Sequence, residues 1–345
     1  MRALVLLILA LGLGCAWAQK LPRLVLAGPY AAVSYPLIHM VDSGALADVA
    51  EQVEFVAWKD PDQLRVFVLQ GGADFVALPT NVAANLYNRG VPLKLLNVST
   101  WGVLWLLSRD AGRTRLADFR GEEIAMPFRA DMPDIVFSLL ARAQGLDPRR
   151  DFRLRYVASP LDAMQLLVMR RVDHALLAEP AASMALRKTR SFPVRLLAPQ
   201  LHRSVDLQQE WGRVFGGAPR IPQAGVAVLG RARADARLIE RFQAAYADSL
   251  RWCQAQAAEC GRLVARRVEL LSPEAVADSI TVSRLHFVTA AEARPELEAF
   301  FARLHAAQPA LVGGRLPDAG FYGAAAGTAD AAPPPAPRGD PRPRS

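Results

Sequence analysis

Cysteine is scarce in this chain of 345 residues, which has three, at positions 15, 253 and 260. That number excludes a small scaffold held together by disulfides. Histidine is thin and scattered, at 39, 174, 202, 286 and 305, and no pair has the spacing of a metal site. No metal is expected. The sequence lacks a G-x-S-x-G elbow, a P-loop, a G-x-G-x-x-G fingerprint and an H-E-x-x-H motif. Nothing in it makes a positive case for catalysis or for a cofactor. Long hydrophobic runs are missing except at the extreme N-terminus, which excludes a polytopic membrane protein. Charged residues are only 21% against 52% hydrophobic, so the chain as a whole is not intrinsically disordered.

The N-terminal run begins Met1-Arg2, continues apolar from Ala3 to Gly14, and closes with Cys15-Ala16-Trp17-Ala18. A basic start, a short apolar stretch and an Ala-x-Ala site read as a secretory signal peptide cleaved after Ala18. Export to the periplasm is the expectation. The rival is a lipoprotein acylated at Cys15, disfavoured because Gly12 stands where a large aliphatic residue belongs. Export leaves Cys253 and Cys260 together in an oxidising compartment. On one straight helix their Cα atoms would lie about 10 Å apart, beyond bridging distance. A break near Gln254–Ala258 would bring them within reach, and both readings stay open.

Lys and Arg total 41 against 33 Asp and Glu, a net charge of +8. Without the leader and tail it falls to about +6, and the arginines are spread through helices rather than clustered. No nucleic-acid partner is expected. A mild attraction for small anions is what remains of the charge argument.

From Leu21 onward short apolar runs alternate with helix-period segments. Strands are expected at Leu24–Ala27, Val53–Trp58, Asp74–Leu78, Leu93–Val98 and Val103–Leu107. Helices stand between them, opened by Ser34, Asp60-Pro61 or Pro79-Thr80 and stopped by Gly44, Gly71 or Gly90. After a polar stretch the pattern repeats. Strands are expected at Glu123–Phe128, Arg153–Val157, His174–Ala178 and Val194–Ala198, helices at Asp131–Gln144, Leu161–Arg170 and Ala181–Lys188. An irregular region then leads to a strand at Gly225–Leu229, a long helix at Asp235–Trp252 and further helices to His305. Nearly continuous apolar strands alternating with helices imply parallel α/β sheets. Two lobes follow, one from residues 19–107 plus 223–322 and the other from 108–222, with a disordered Ala/Pro/Arg-rich tail at 323–345. The fold class is α/β, two lobes joined by two crossings into a hinged clamshell.

The chain resembles the periplasmic substrate-binding proteins of ABC importers for nitrate, sulfonates, taurine and thiamine precursors. The resemblance is carried by Leu24-Val-Leu-Ala-Gly-Pro-Tyr-Ala-Ala-Val-Ser34-Tyr35-Pro36, by Leu69-Gln-Gly-Gly-Ala-Asp74-Phe-Val-Ala-Leu-Pro79-Thr80-Asn81, by Met169-Arg-Arg-Val-Asp173-His-Ala-Leu-Leu-Ala-Glu179-Pro180 and by Ile221-Pro-Gln223-Ala-Gly225-Val-Ala-Val. Their order covers about Leu21–His305. It implies the two-lobed periplasmic-binding-protein fold, a type II-like clamshell with two hinge crossings. It also implies a monomeric binding protein that captures a small organic ligand, aromatic or acidic, and delivers it to an ABC permease in the inner membrane. The alternatives are a periplasmic sensing module and an enzyme of thiamine- or menaquinone-precursor metabolism on the same fold.

Loops at the carboxyl ends of the strands place the candidate ligand contacts. Ser34, Thr80, Asn81 and Asp131 stand at helix N-termini, as caps or as contacts to a polar ligand group. Arg129 can clamp an acid or pair with Asp131. Tyr35, Trp58 and Trp101 can stack on a ring or sit in the core. In the run Trp101–Leu107 alternate residues share a face, so Trp101 and Trp105 point the same way, with Trp105 expected in the core and Trp101 at the ligand. Glu179 can accept from a ligand amine or make a structural contact between the lobes, and Gln223 completes the set where the lobes meet.

Overall fold

The computed structural model describes residues 20–192 and 200–323. The expected signal peptide with Cys15, the strand expected at Val194–Ala198 and the tail beyond residue 323 lie outside the described residues.

Among the described residues two sheets form. The first contains β1 (Leu21–Pro29), β2 (Ala50–Trp58), β3 (Phe75–Pro79), β4 (Leu93–Gly102), β10 (Ala224–Leu229) and β11 (Arg284–Thr289), in the order β11-β4-β10-β3-β1-β2. The second contains β5 (Leu104–Ser108), β6 (Glu123–Pro127), β7 (Arg153–Val157), β8 (His174–Ala178) and β9 (His202–Asp206), in the order β7-β6-β8-β5-β9. The chain therefore has the expected two-lobed α/β architecture. The sheets are mixed rather than parallel. β1 runs parallel to β2 and β3, and β6 to β7 and β8, whereas β10 lies antiparallel to β3 and β4, and β5 to β8 and β9. β5 and β10, the strands by which the chain enters each sheet from the other, both pair antiparallel with their neighbours.

One residue, Val103, separates β4 from β5. The chain thus changes sheet at Val103, before the position near 107 that the sequence suggests, because the apolar run Leu93–Leu107 is two strands end to end. β9, the helix α7 (Leu207–Phe215) and β11 stand where the sequence pattern suggests irregular chain or helix. β9 is short and polar, and the Asp206 carboxylate that ends it caps α7 through Gln208 and Gln209.

Helices around the sheets open in a common way. In α2 (Pro61–Leu69), α4 (Met132–Ala143) and α5 (Pro160–Val168), a side-chain oxygen of Asp60, Asp131 or Ser159 accepts from an early backbone N–H, and proline occupies the first turn. α1 (Tyr35–Asp42), α3 (Thr80–Asn88) and α6 (Ala181–Arg190) begin without a cap from the preceding residue's side chain. The long α8 (Ala236–Ala255), capped by Asp235, packs on the first sheet, with Phe242 stacked on Phe75 at 3.8 Å and the Tyr246 hydroxyl donating to the Val33 carbonyl. β10 can approach β4 closely because residue 225 is glycine; a Cβ there would overlap the Asn97 carbonyl.

α8 breaks at Gln256, and α9 (Ala257–Arg267) starts in a new direction. The break brings the Cα atoms of Cys253 and Cys260 to 5.1 Å, and the two sulfurs are bonded. α10 (Pro273–Val282) and α11 (Arg294–Ala307) complete the molecule. No helix among the described residues is long and apolar enough to cross a membrane.

Candidate functional site

A cleft lies where the carboxyl ends of the parallel strands of both sheets converge, the position an open α/β architecture reserves for a ligand. β1 ends in it with Pro29-Tyr30, β2 with Trp58-Lys59 and β3 with Leu78-Pro79, while the second sheet brings Phe128 after β6, Ser159 after β7 and Ala178-Glu179 at β8. The cavity holds about 160 Å³. Its wall is mostly apolar, with Val82, Val103, Leu104, Met132, Leu161 and Leu271 filling the gaps between strand ends. An apolar cavity of about 150 Å³ accepts a benzene ring.

The polar groups of the cleft are few and largely engaged. The Glu179 side chain is fully buried, one oxygen accepting from Arg203 at 2.7 Å and the other from the Ser183 amide at 3.0 Å. That second bond supplies the cap that α6 otherwise lacks. Arg203 belongs to β9 of the same sheet, so this ion pair braces one lobe rather than linking the two. Asp131 caps α4, accepting from the Met132 amide at 2.8 Å. Burial holds its carboxyl above the ordinary aspartate range, and the Met132 bond offsets part of that rise. Among the residues lining the cleft Lys59 is the only cation. The hydroxyl of Thr100 is buried there with no hydrogen-bond partner.

Gln223 joins the two places where the chain passes between sheets. Its side-chain oxygen accepts from the Val103 amide at 2.9 Å, its own amide donates to the Thr100 carbonyl, and its carbonyl accepts from the Thr80 amide, both at 3.0 Å. The Glu179 amide donates to the Val103 carbonyl at 2.9 Å. Both crossings and the end of β8 therefore meet at one hydrogen-bonded point directly under the cleft.

Of the residues singled out from sequence, Trp58, Asp131, Glu179 and Gln223 line this cleft. The others stand elsewhere. Ser34 is buried with its hydroxyl against Gly28, in the space a Cβ there would need. Tyr35 is fully buried, its hydroxyl 3.2 Å from Ser279 on α10. The Thr80 hydroxyl donates to the Pro222 carbonyl at 2.6 Å. Asn81 faces a neighbouring pocket on the far side of Val82. Trp101 lies in the core with its indole N–H donating to the His286 carbonyl at 2.8 Å, and Arg220 stacked on its ring. The shared face expected for Trp101 and Trp105 does not form, because the strand ends at Gly102 and the two rings belong to different sheets. Arg129 neither enters the cleft nor pairs with Asp131; its guanidinium lies 5.2 Å over the Tyr156 ring on another surface. Phe128 and Ala130 on either side of it have φ of 56° and 60°, and this left-handed bend turns the arginine away. Thr100, Lys59 and Ser159 are the polar cleft residues that sequence reasoning missed. A polar Ser99-Thr100 pair near the end of a long apolar strand is the signal that could have found the first.

No protein-family model matches the sequence, and no curated protein matches it. Solved structures do. An ABC transporter from Parabacteroides distasonis superposes with a TM-score of 0.70 at 22% identity, over 89% of this chain and 99% of that one. The periplasmic aliphatic sulphonate binding protein of Escherichia coli gives 0.62 at 15% identity, over 86% and 92%. The periplasmic nitrate-binding protein of Synechocystis PCC 6803 gives 0.58 at 15%, over 75% and 70%. The chain shares the fold of these solved structures.

Proposed function

We propose that this protein is the exported ligand-binding component of an ABC import system, capturing one small ring-bearing molecule in the cleft and presenting it to an inner-membrane permease. The observation that carries the reading is the cleft itself: an apolar cavity of about 160 Å³ walled by the strand ends of both sheets. No nucleophile–base pair is among its lining residues, and the two carboxylates are engaged as helix caps or braced by an arginine. The work of such a site is to hold a ligand and let the lobes close on it, with contacts from both sides favouring the closed form.

Cleft chemistry narrows the ligand. The expected arginine clamp is turned away, and helix ends that would attract an anion already carry Asp60, Asp131 and Glu179. A neutral or weakly polar ring, with one acceptor for the unpaired Thr100 hydroxyl and one for the side-chain NH2 of Gln223, fits better than a sulfonate or nitrate. In this reading the lobes are residues 20–103 with 223–323, and 104–222, and Gln223 with Val103 marks the hinge. Thermal-shift screening against neutral heterocycles and against sulfonates, carboxylates and nitrate tests the proposal. Stabilisation by ring compounds supports it, and stabilisation by inorganic nitrate with no effect of any ring compound contradicts it.

A further inference from the structure

A second concavity opens beyond the Asp131 loop, separate from the cleft. One wall is α4, the start of the loop after it and β7; the other is the end of α11 with Gln308 and Leu311. It measures about 340 Å³ and is lined by Arg129, Arg142 and Arg149. A smaller pocket adjoins it across Ala130, Gln308 and Leu311 and adds Arg65 and Arg89. Arg65 pairs with Asp62 at 2.8 Å. The other four have no carboxylate partner among the described residues.

The one carboxylate on the larger wall, Asp134, is consumed locally. One oxygen accepts from the Ala130 amide at 2.8 Å, the other from the Tyr156 hydroxyl at 3.1 Å and from Ser138 at 3.4 Å. Its buried charge therefore fastens the loop that carries Arg129 and leaves the guanidinium groups uncompensated. That loop pays a conformational cost: left-handed backbone at two non-glycine residues is worth about 1–2 kcal/mol each, at Phe128 and Ala130. Burial and Asp134 push the Tyr156 hydroxyl up to about 12, and both Arg129 and Arg149 oppose the rise. Two guanidinium groups thus bear on the same phenol from the rim of one groove.

We propose that this groove is a second binding site, for a small oxyanion of the phosphate, sulfate or carboxylate class. Guanidinium groups present paired N–H donors in a plane that matches such oxygens, and several around one concavity make the anion contact cooperative with its shape. The cleft, apolar and nearly free of cations, takes a different chemical class.

The test is a titration of the full chain, freed of its leader, with inorganic phosphate, followed by calorimetry and by phosphorus NMR line width, with sodium chloride at matched ionic strength as control. One saturable site is expected, displaced by sulfate, and weakened at least about tenfold in the Arg129→Gln/Arg149→Gln double variant, the least expected when even one of its two guanidinium groups donates a charge-assisted hydrogen bond. Both side chains are exposed, so circular dichroism and melting should match the parent. Filling the cleft with Ala178→Trp should leave phosphate binding intact. No saturable binding, equal binding by the double variant, an equal effect of chloride, or loss of binding in Ala178→Trp would each overturn the proposal.

Discussion

The cleft and the arginine groove are separated by little more than the loop of Asp131, and their walls are made in opposite ways. In the cleft, strand ends and helix starts converge, so backbone groups are plentiful; the chain covers them with Asp60, Asp131 and Glu179 and lines the rest with aliphatic and aromatic side chains. In the groove no strand end is presented by the first sheet, the only carboxylate is tied to its own loop, and the cations are left free. Proximity to a lobe boundary does not decide what a concavity binds. What decides it is whether the charges at its edge have already been paired.

The sharpest way to break that contrast is to fill one side of it. Ala178 is half-buried at the end of β8 in the cleft wall. Ala178→Trp should abolish binding of the ring ligand, by at least about 100-fold given the loss of the whole apolar contact surface, as read by calorimetry.

Removing the brace beneath the cleft comes next. Arg203→Met leaves the buried Glu179 carboxylate uncompensated and should cost about 3 kcal/mol in chemical denaturation. Adding Glu179→Gln should restore most of it, since an amide can still accept from the Ser183 amide. A single variant as stable as the parent would mean that the carboxylate is stabilised by something other than Arg203.

Thr100→Val should separate folding from binding. An unpaired buried hydroxyl costs about 1–3 kcal/mol, so the valine variant should melt higher than the parent. If the hydroxyl serves the ligand, affinity should fall about fivefold to tenfold at the same time. Opposite signs in the two measurements are the expected outcome; unchanged affinity would remove Thr100 from the site.

Asp131 stands between the two concavities and gives the smallest effect. Its carboxyl is held above the ordinary range by burial, so the native state keeps a proton that the unfolded chain releases. The stabilising contribution is complete below the ordinary aspartate range and is lost as pH rises through the raised native value. Asp131→Asn keeps an acceptor for the Met132 amide and removes this titration. The melting temperature of the variant should exceed that of the parent near neutrality and converge with it in acid.

How much of this was legible in the sequence follows from how local each feature is. Arg153–Val157 and His174–Ala178 could be read as strands residue for residue because each is flanked by helix signals. Trp58, Asp131 and Glu179 could be placed at the cleft because each stands at or just beyond the carboxyl end of a parallel strand, although Ser34 and Thr80, in equivalent positions, turn into the core instead. Pairing direction was hidden, since β5 and β10 look like any buried strand and only their partners show that they run antiparallel. Arg129 was misplaced for a physical reason too: its direction is set by two left-handed residues that lack the glycine that would announce them. Trp101 was misplaced because a period-2 argument holds only within one strand, and the chain changes sheets at Val103.

The most direct test of the central claim is native mass spectrometry of the protein isolated without denaturation from the cells that make it, beside the Ala178→Trp variant. The account predicts a parent protein carrying one small organic molecule that is released on unfolding, and a variant that carries none. An empty parent that also fails to take up any ring compound, or a bound molecule retained equally by the filled cleft, would contradict it.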